Sequence, residues 1–350
     1  MRIGLYGLPT AGKSFIEDKI DFMDVLHGST LLHEVAPSFD NMDETGKNAI
    51  REKLADYCMS KENFLMDGHY AFGRKKAFTD RDGELYDAFL YIYVEPKLLR
   101  DRMKKSQKNQ KYIKCDIGKW QRDEIEGLRE FCHSNDKDFY VIDNPPSNEY
   151  ADTSDAVEFI KAVAKGYSCS TYAIKIANEI IEKSAADTIY LIDGDRTFIK
   201  EDSSSFVFGY NTILFDGNFY TGFQTWKQYK EFSDYKISIP EHIGVHRHSI
   251  FQNYPSECSF ILSSGNNDIW ENIASEYNIK CFSGHEMSAE TKFFVAKILR
   301  AKSRHVIAFG DSMSDLYMLR EADRGYIVRR DDGSVSKSLD GENIGGLFFV

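Results

Sequence analysis

Short apolar strands alternate with amphipathic helical stretches along both halves of this chain of 350 residues. The alternation predicts parallel sheets covered by helices, because each helix returns the chain to the end where the next parallel strand begins. Ligands bind such sheets at the carboxyl ends of the strands, so a motif that directly follows a strand is a candidate site. The predicted strands are 2–6, 63–66, 89–94, 139–142, 188–192, 259–262, 305–309 and 325–328.

A glycine-rich loop follows the first predicted strand. The run Gly7-Leu8-Pro9-Thr10-Ala11-Gly12-Lys13-Ser14 fits G-x-x-x-x-G-K-[ST] at every fixed position. Glycines let successive backbone N–H groups point at one anion, and the start of a helix adds partial positive charge. Lys13 would reach the β- and γ-phosphates, and the Ser14 hydroxyl would ligate Mg²⁺. The loop therefore predicts a site for the phosphates of a nucleotide, bound through Gly7, Gly12, Lys13 and Ser14.

Because of this loop, roughly the first 165 residues resemble the P-loop kinases related to nucleoside and nucleotide kinases. Such kinases often keep a carboxylate after the strand that corresponds to 63–66. The resemblance implies that Asp67 either supports Mg²⁺ or accepts the proton of the acceptor hydroxyl. The alternative is that Asp67 and Gly68 form an ordinary turn.

Lysine and arginine crowd the segment 97–122, where the related kinases carry a basic lid that closes over the phosphates. Closure would exclude water and bring arginines to the charge that develops during transfer. The resemblance makes Arg100, Arg102 and Arg122 candidates for ATP binding. A solvated helix face is the alternative, and it suits most of the lysines.

A second set of motifs follows the strands of the other half. Asp193-Gly194-Asp195-Arg196-Thr197 comes after strand 188–192, and Gly310-Asp311-Ser312-Met313-Ser314-Asp315 comes after strand 305–309. Ser263 follows strand 259–262, and Lys292 lies on a predicted helix between these motifs. Four such elements in this order resemble the haloacid dehalogenase (HAD) superfamily, in its phosphatase branch, over about 171–350.

The chemistry of that superfamily assigns a role to each motif residue. Carboxylates two apart at an extended strand end point the same way, so Asp193 would attack phosphorus while Asp195 protonates the leaving oxygen and later activates water. Ser263 would hydrogen-bond the phosphoryl group, and Lys292 would balance its charge. The expected metal residues are Asp193, Asp195, Asp311 and Asp315, with Ser14 in the first half, and Thr197 is expected to bind phosphate.

Two features depart from the simplest version of this pattern. The family usually has glycine where this chain has Arg196, which would contact substrate or point to solvent. A phosphatase domain without activity is therefore also considered. The segment from about 200 to 255 is too long for a plain crossover, and the resemblance implies a cap over the site. Its many aromatic residues would either stack a base or sugar or build the core of the cap itself.

Together these features predict an α/β protein with two domains. A P-loop parallel-sheet kinase domain is expected at 1–166, and a HAD-like Rossmannoid phosphatase domain at 167–350. The leading hypothesis is a bifunctional enzyme. It would transfer phosphate from ATP to a hydroxyl of a small nucleoside-, nucleotide- or sugar-like acceptor, and hydrolyse a phosphomonoester with Mg²⁺. Two alternatives stay open: a polynucleotide 5′-kinase and 3′-phosphatase that heals nucleic-acid ends, and a phosphatase regulated by a non-catalytic ATP-binding domain.

The composition limits the classes of partner and the cellular compartment that we expect for this protein. The net charge of −11 argues against a protein whose surface holds a long nucleic acid, although a local basic cluster suits a small anionic substrate. No run of about 18 apolar residues and no secretory signal pattern occur, so we expect a cytoplasmic protein with no membrane partner. Six scattered cysteines without a C-x-x-C pair predict free thiols.

Overall fold

The computed structural model describes residues 1–72, 75–143, 153–203, 205, 219–233 and 243–350. The chain divides into two compact units, Met1–Tyr167 and Ser168–Val350. Much of the expected cap at 200–255 lies outside the described residues, including the aromatic residues Phe206, Phe208, Tyr210, Phe215 and Tyr235.

The first unit is built on a parallel sheet of five described strands in the order β2-β3-β1-β6-β7. A short antiparallel pair, β4 with β5, follows β3. The strands are β1 (Arg2–Tyr6), β2 (Asp24–Leu26), β3 (Phe64–Asp67), β4 (Ala71–Phe72), β5 (Lys75–Lys76), β6 (Ala88–Tyr93) and β7 (Asp138–Asp143). The helices are α1 (Lys13–Glu17), α2 (Gly28–Val35), α3 (Glu44–Cys58), α4 (Asp80–Leu85), α5 (Pro96–Lys105), α6 (Ile117–Ser134) and α7 (Ser154–Ala164).

The second unit is built on a parallel sheet of six described strands in the order β10-β9-β8-β11-β12-β13. The strands are β8 (Thr188–Asp193), β9 (Ser259–Ser263), β10 (Lys280–Ser283), β11 (His305–Gly310), β12 (Arg324–Ile327) and β13 (Phe348–Phe349). The helices are α8 (Cys169–Lys183), α9 (Gly222–Ser233), α10 (Asn267–Glu276), α11 (Ala289–Ala301) and α12 (Leu316–Glu321).

Helices cover both sheets, as the strand composition requires. All six residues of strand β6 are aliphatic or aromatic, and five of them are buried. In the second unit one apolar cluster joins α8 and α11 to the sheet, and another packs Trp270 of α10 against Ile192 of β8. Runs that are apolar on both faces suit central parallel strands. The predicted fold class, α/β with parallel sheets, is therefore confirmed.

The strand order places the predicted motifs of each unit next to one another at the carboxyl end of its sheet. In the first unit, β1 lies between β3 and β6, so the loop after β1 borders Asp67 at the end of β3. In the second unit, β8 lies between β9 and β11, so Asp193, Ser263 and Asp311 leave three neighbouring strands. Among the described residues, no helix is both long and apolar enough to cross a membrane. All six cysteines are free thiols.

Candidate active sites

The loop after β1 has backbone conformations that suit an anion-binding turn. Gly7, Thr10 and Gly12 all have positive φ angles, of 149°, 67° and 102°. A Cβ atom at Gly7 would lie 2.9 Å from the carbonyl oxygen of Ile92, so this position requires glycine. Alternating backbone conformations of this kind turn successive N–H groups to one side, which suits a phosphate.

Lys13 is buried inside this loop, and its Nζ donates to the carbonyl oxygen of Gly7 at 2.6 Å. Burial lowers the pKa of Lys13, while Asp67, Glu124 and Glu17 oppose that shift. Ser14 is exposed in the first turn of α1. Because α1 has only five residues, the loop amides and Lys13, rather than a long helix dipole, supply most of the positive field.

Asp67 lies where the resemblance to kinases predicts it, at the end of β3 beside the loop. Its Oδ1 accepts a hydrogen bond from the N–H of Gly28 at 2.8 Å. A Cβ at Gly28 would lie 2.4 Å from the carbonyl oxygen of Asp67, so glycine allows this close approach. Asp67 is also the strongest charge raising the pKa of Lys13. The structure therefore brings Lys13 and Asp67 together at the carboxyl end of the sheet.

The three predicted arginines occupy different positions. Arg102 is half-buried on α5, and its Nη1 donates to the carbonyl oxygen of Ala11 in the loop at 3.4 Å. Arg100 is half-buried on the same helix. Arg122 is exposed on α6. Arg102 is thus the one of the three for which the structure records a hydrogen bond to the phosphate loop.

Two further side chains beside the loop were not predicted. His69 follows Asp67 by two residues, and its Nδ1 is buried with no partner among the described residues. Burial and then the charge of Lys13 lower the pKa of His69 well below its ordinary value. Glu124 of α6 accepts from the N–H of Ala71 at 2.9 Å, and burial raises its pKa to about 7. The sequence could have suggested His69, because it lies two residues after Asp67, whereas no pattern in the sequence pointed to Glu124.

At the second site Lys292 joins two carboxylates. Its Nζ donates to Asp193 Oδ1 at 2.6 Å and to Asp315 Oδ1 at 2.7 Å. All three side chains are buried. Burial opposes the charge of Lys292, but Asp193 and Asp315 together raise its pKa above the ordinary value. Lys292 is therefore a fixed cation beside the expected nucleophile.

Asp193, Asp311 and Asp315 form a carboxylate cluster, with one oxygen of each lying within 4.8 Å of the others. Burial, and then the charge of Asp315, raise the pKa values of Asp193 and Asp311, that of Asp311 to about 7. Buried oxygen donors that repel one another are the donor set that Mg²⁺ prefers. The residues fit a magnesium ion for that reason.

Asp315 accepts most of its hydrogen bonds from Asp311 and Ser312, which precede it in the same loop. While Oδ1 accepts from Lys292, Oδ2 accepts from the N–H groups of Asp311 and Ser312 and from the Ser312 hydroxyl, each at 3.2 Å. This pattern suits a residue that holds the loop and Lys292 in place. Asp193 and Asp311 then remain the direct candidates for metal ligation.

Asp195 is not a member of the carboxylate cluster. Its Oδ1 accepts from the N–H of Ser203 at 2.6 Å. Burial, followed by the charge of Asp202, raises the pKa of Asp195 to about 6. A carboxyl group that titrates nearer to neutrality is suited to giving and taking a proton.

The hydroxyl of Ser263 lies beside Gly194, directly after β8, whereas that of Ser264 is bonded elsewhere. The Ser263 hydroxyl accepts from the N–H of Gly265 at 3.1 Å, and a Cβ at Gly194 would approach it to 2.8 Å. The hydroxyl of Ser264 instead donates to the carbonyl oxygen of Met287. Thr197 is fully buried, and its hydroxyl has no partner among the described residues. Ser263 is thus the better candidate for contacting a phosphoryl group.

Arg196 takes the backbone conformation that a glycine would take without strain. Its φ angle is 57°, and its N–H donates to the carbonyl oxygen of Glu201 at 2.9 Å. The Nη2 atom donates to Asp202 Oδ2 at 3.0 Å, so the side chain is held back by an ion pair. Arg196 therefore preserves the turn after Asp193 and adds a positive charge that opposes the rise in the pKa of Asp311.

The described part of the insertion contains α9, which packs against α11. The rings of Phe223 and Trp226 stack with centroids 6.3 Å apart, and Phe223 is buried. Tyr220 lies near Asp311, whose charge contributes to raising the tyrosine pKa after burial. These contacts show aromatic residues both in the packing of the insertion and near the carboxylate cluster.

Comparisons with known proteins give matches in both halves. A model of the haloacid dehalogenase-like hydrolases matches residues 129–340, more than half of the chain. A shikimate kinase from Bacteroides thetaiotaomicron is similar at 15% identity and a TM-score of 0.34, over 47% of this chain and 98% of that chain. A HAD family hydrolase from Salmonella enterica serovar Typhi is similar at 16% identity and a TM-score of 0.32, over 43% and 65%. No curated protein matches the sequence.

Proposed function

The chain belongs to the haloacid dehalogenase-like hydrolase family, and we propose that its second unit hydrolyses phosphomonoesters through an aspartyl-phosphate on Asp193. The observation that carries this proposal is the 2.6 Å contact between Lys292 Nζ and Asp193 Oδ1. It leaves Oδ2 of a buried carboxylate for attack while a fixed cation balances the charge. Enzymes of this class accelerate phosphoryl transfer chiefly by such placement of charge.

In the first step an oxygen of Asp193 bonds to phosphorus, and the bond from phosphorus to the ester oxygen breaks. Asp195 gives its proton to the departing oxygen, for which its pKa of about 6 is suited. Ser263 and Lys292 hold the transferring group. Mg²⁺, held by Asp193 and Asp311, would neutralise the phosphoryl oxygens.

In the second step water attacks the phosphorus of the aspartyl-phosphate, and inorganic phosphate leaves. Asp195, now ionised, takes the proton of that water. The N–H of Ser203 holds the Asp195 carboxylate in one orientation for both transfers. Asp193 is restored with its hydrogen bond to Lys292.

For the first unit we propose transfer of the γ-phosphoryl group of ATP to a hydroxyl of a small nucleoside-, nucleotide- or sugar-like acceptor. The loop with three positive φ angles, the buried Lys13 and the neighbouring Asp67 support it. Arg102, bonded to the loop, would meet the charge that develops on the phosphates. The chain would then be bifunctional.

The phosphatase proposal is tested by replacing Asp193. Asp193→Asn should abolish turnover of an aryl phosphate, because an amide cannot act as the nucleophile. Asp187→Asn, at an exposed position just before β8, should keep full turnover. Chelation of Mg²⁺ should stop the reaction of the wild-type protein. Retained turnover in Asp193→Asn would overturn the assignment.

The kinase proposal is tested in the Asp193→Asn background, so that a phosphorylated product is not hydrolysed. Labelled ATP is offered with nucleosides, nucleotides, sugars and oligonucleotides, and transfer should depend on Lys13. Lys13→Ala should lose transfer, while Lys53→Ala on the exposed face of α3 should retain it. ATP binding without transfer to any acceptor would contradict the proposal and favour regulation of the phosphatase by ATP.

A further inference from the structure

Three side chains in the first unit form a second group with the spacing of a metal site. Ligand atoms of Glu17, His27 and Asp67 all lie within 4.8 Å of one another. They come from the last residue of α1, the residue after β2 and the last residue of β3. None of the three sits in the carboxylate cluster of the second unit.

The register of the sheet explains why these residues meet. In the parallel pair β2 and β3, Leu26 lies opposite Met66, so His27 and Asp67 follow at the same level. The hydrogen bond from Gly28 N–H to Asp67 Oδ1 fixes the two chain ends against each other. Asp67 Oδ2 is left for another ligand.

Glu17 is the member that most needs a cation. Its side chain is 0% exposed, and neither oxygen accepts a hydrogen bond from the residues that the structure describes. His27 Nδ1 lies 3.3 Å from Glu17 Oε2, and a carboxylate oxygen of Asp67 lies within 4.8 Å of a Glu17 oxygen. A buried carboxylate without hydrogen bonds is destabilising unless it is paired or coordinates a metal.

The charge distribution also favours a bound cation. Glu17 and Asp67 are two carboxylates beside one half-exposed imidazole and the buried Lys13. Carboxylate oxygens of Glu17 and Asp67 lie within 4.8 Å of each other, so the two groups repel when both are ionised. A divalent ion between the carboxylates would remove this repulsion.

We propose that Glu17, His27 and Asp67 bind one divalent transition-metal ion, such as Mn²⁺, directly and without nucleotide. An imidazole nitrogen with two carboxylates suits Mn²⁺, Fe²⁺ or Zn²⁺ better than Mg²⁺, which prefers oxygen donors alone. The site shares Asp67 with the proposed kinase chemistry, but its occupancy does not depend on phosphoryl transfer. A magnesium ion carried by ATP would be held by Ser14 and phosphate oxygens, and is a different ion.

The test measures Mn²⁺ binding to the full chain in the absence of nucleotide. A background variant with Asp193→Asn and Asp311→Asn removes the donor set of the second unit. Titration followed by electron paramagnetic resonance should show one bound Mn²⁺ per chain. Spin-echo modulation should show coupling to a ¹⁴N nucleus, which identifies an imidazole ligand.

His27→Gln in this background should remove the nitrogen coupling and weaken binding by at least about tenfold. The His27 side chain is 51% exposed, so the substitution spares the core. His33→Gln is the matched control, since His33 lies on the neighbouring helix α2 at 44% exposure and pairs with Asp40. Glu17→Gln should weaken binding by a similar factor.

Several results would overturn the proposal. They are absence of Mn²⁺ binding in the background variant, nitrogen coupling that survives His27→Gln, and equal losses in His27→Gln and His33→Gln. Phosphoryl transfer is measured separately in the same variants with Mg²⁺ and ATP. Metal binding without transfer would contradict only the kinase proposal, and transfer without nucleotide-free Mn²⁺ binding would contradict only this one.

Discussion

The ammonium of Lys292 lies 2.6 Å from Asp193 Oδ1, and both side chains are at least nine-tenths buried. The pair joins α11 to the end of β8, two elements that are 99 residues apart in the chain. In low dielectric surroundings such a pair is stable only while both partners remain. The position of the proposed nucleophile therefore depends on one lysine of another element.

Replacing Lys292 with methionine should lower phosphatase turnover by about 100-fold or more, because the transferring phosphoryl group loses its fixed cation. The variant should also lose about 3 kcal/mol of stability, since two buried carboxylates lose their partner. Turnover of an aryl phosphate and chemical unfolding measure the two effects. Lys302→Met, exposed at the end of the same helix, should change neither. Near-normal turnover in Lys292→Met would refute the role.

Arg196 offers a matched pair of substitutions. Arg196→Ala and Arg196→Gly both lose the ion pair with Asp202, but only glycine adopts a φ angle of 57° without strain. The glycine variant should therefore be more stable than the alanine variant by about 1 kcal/mol. Chemical unfolding of the two proteins side by side measures the difference. Equal stabilities would show that the turn relaxes when the arginine is removed.

Glu124 should make the stability of the protein depend on pH. Burial raises its folded pKa to about 7, so between roughly pH 4.3 and pH 7 the native state binds more protons than the unfolded state. Stability then falls as the pH rises through this window. Glu124→Gln keeps acceptors for Ala71 N–H and Trp120 Nε1, and its amide can donate to the hydroxyl of Tyr91.

The Glu124→Gln variant should match the wild-type protein near pH 4.5 and exceed it at pH 8 by about 1–3 kcal/mol. Urea unfolding at several pH values provides the measurement. Glu126→Gln, exposed on the same helix, should leave the pH profile unchanged. A Gln variant with the same slope as the wild-type protein would assign the pH dependence to other groups.

The arginines of α5 and α6 should differ in their effect on ATP use. Arg102→Gln should lower kcat/KM for ATP-dependent transfer by about tenfold or more, since Arg102 contacts the phosphate loop. Arg122→Gln, exposed on α6, should have little effect. Steady-state transfer from labelled ATP compares them. Equal losses would indicate that the lid closes over the phosphates and brings Arg122 in.

The central strands could be predicted because both of their faces are covered. Strands β1, β6 and β8 are continuous apolar runs, and their observed bounds agree with the predicted ones to within one residue. Strands β2 and β10 were missed. They lie at sheet edges and are half-exposed, so their sequences are partly polar and carry no clear period.

The missed edge strand explains what was missed at the candidate sites. Because β2 was not predicted, nothing in the sequence placed His27 beside Asp67. Glu17 could then be interpreted only as a charged residue on a short helix. The aspartate and serine motifs of the second unit could be predicted because each lies at the end of a buried strand, whereas Lys292 was predicted on a helix. Ser203 and the ion pair of Arg196 depend on how the chain returns after the motif, which no local pattern specifies.

Within the loop itself, the ammonium of Lys13 already donates a hydrogen bond to the carbonyl oxygen of Gly7. An incoming anion gains this lysine only by displacing the carbonyl, so the net attraction is a difference between two contacts. A single orthophosphate can make few other contacts that offset the loss of the carbonyl contact. A triphosphate can make many such contacts, because several of its oxygens would lie along the turn. We therefore expect the loop to bind a long polyphosphate in preference to a short competitor.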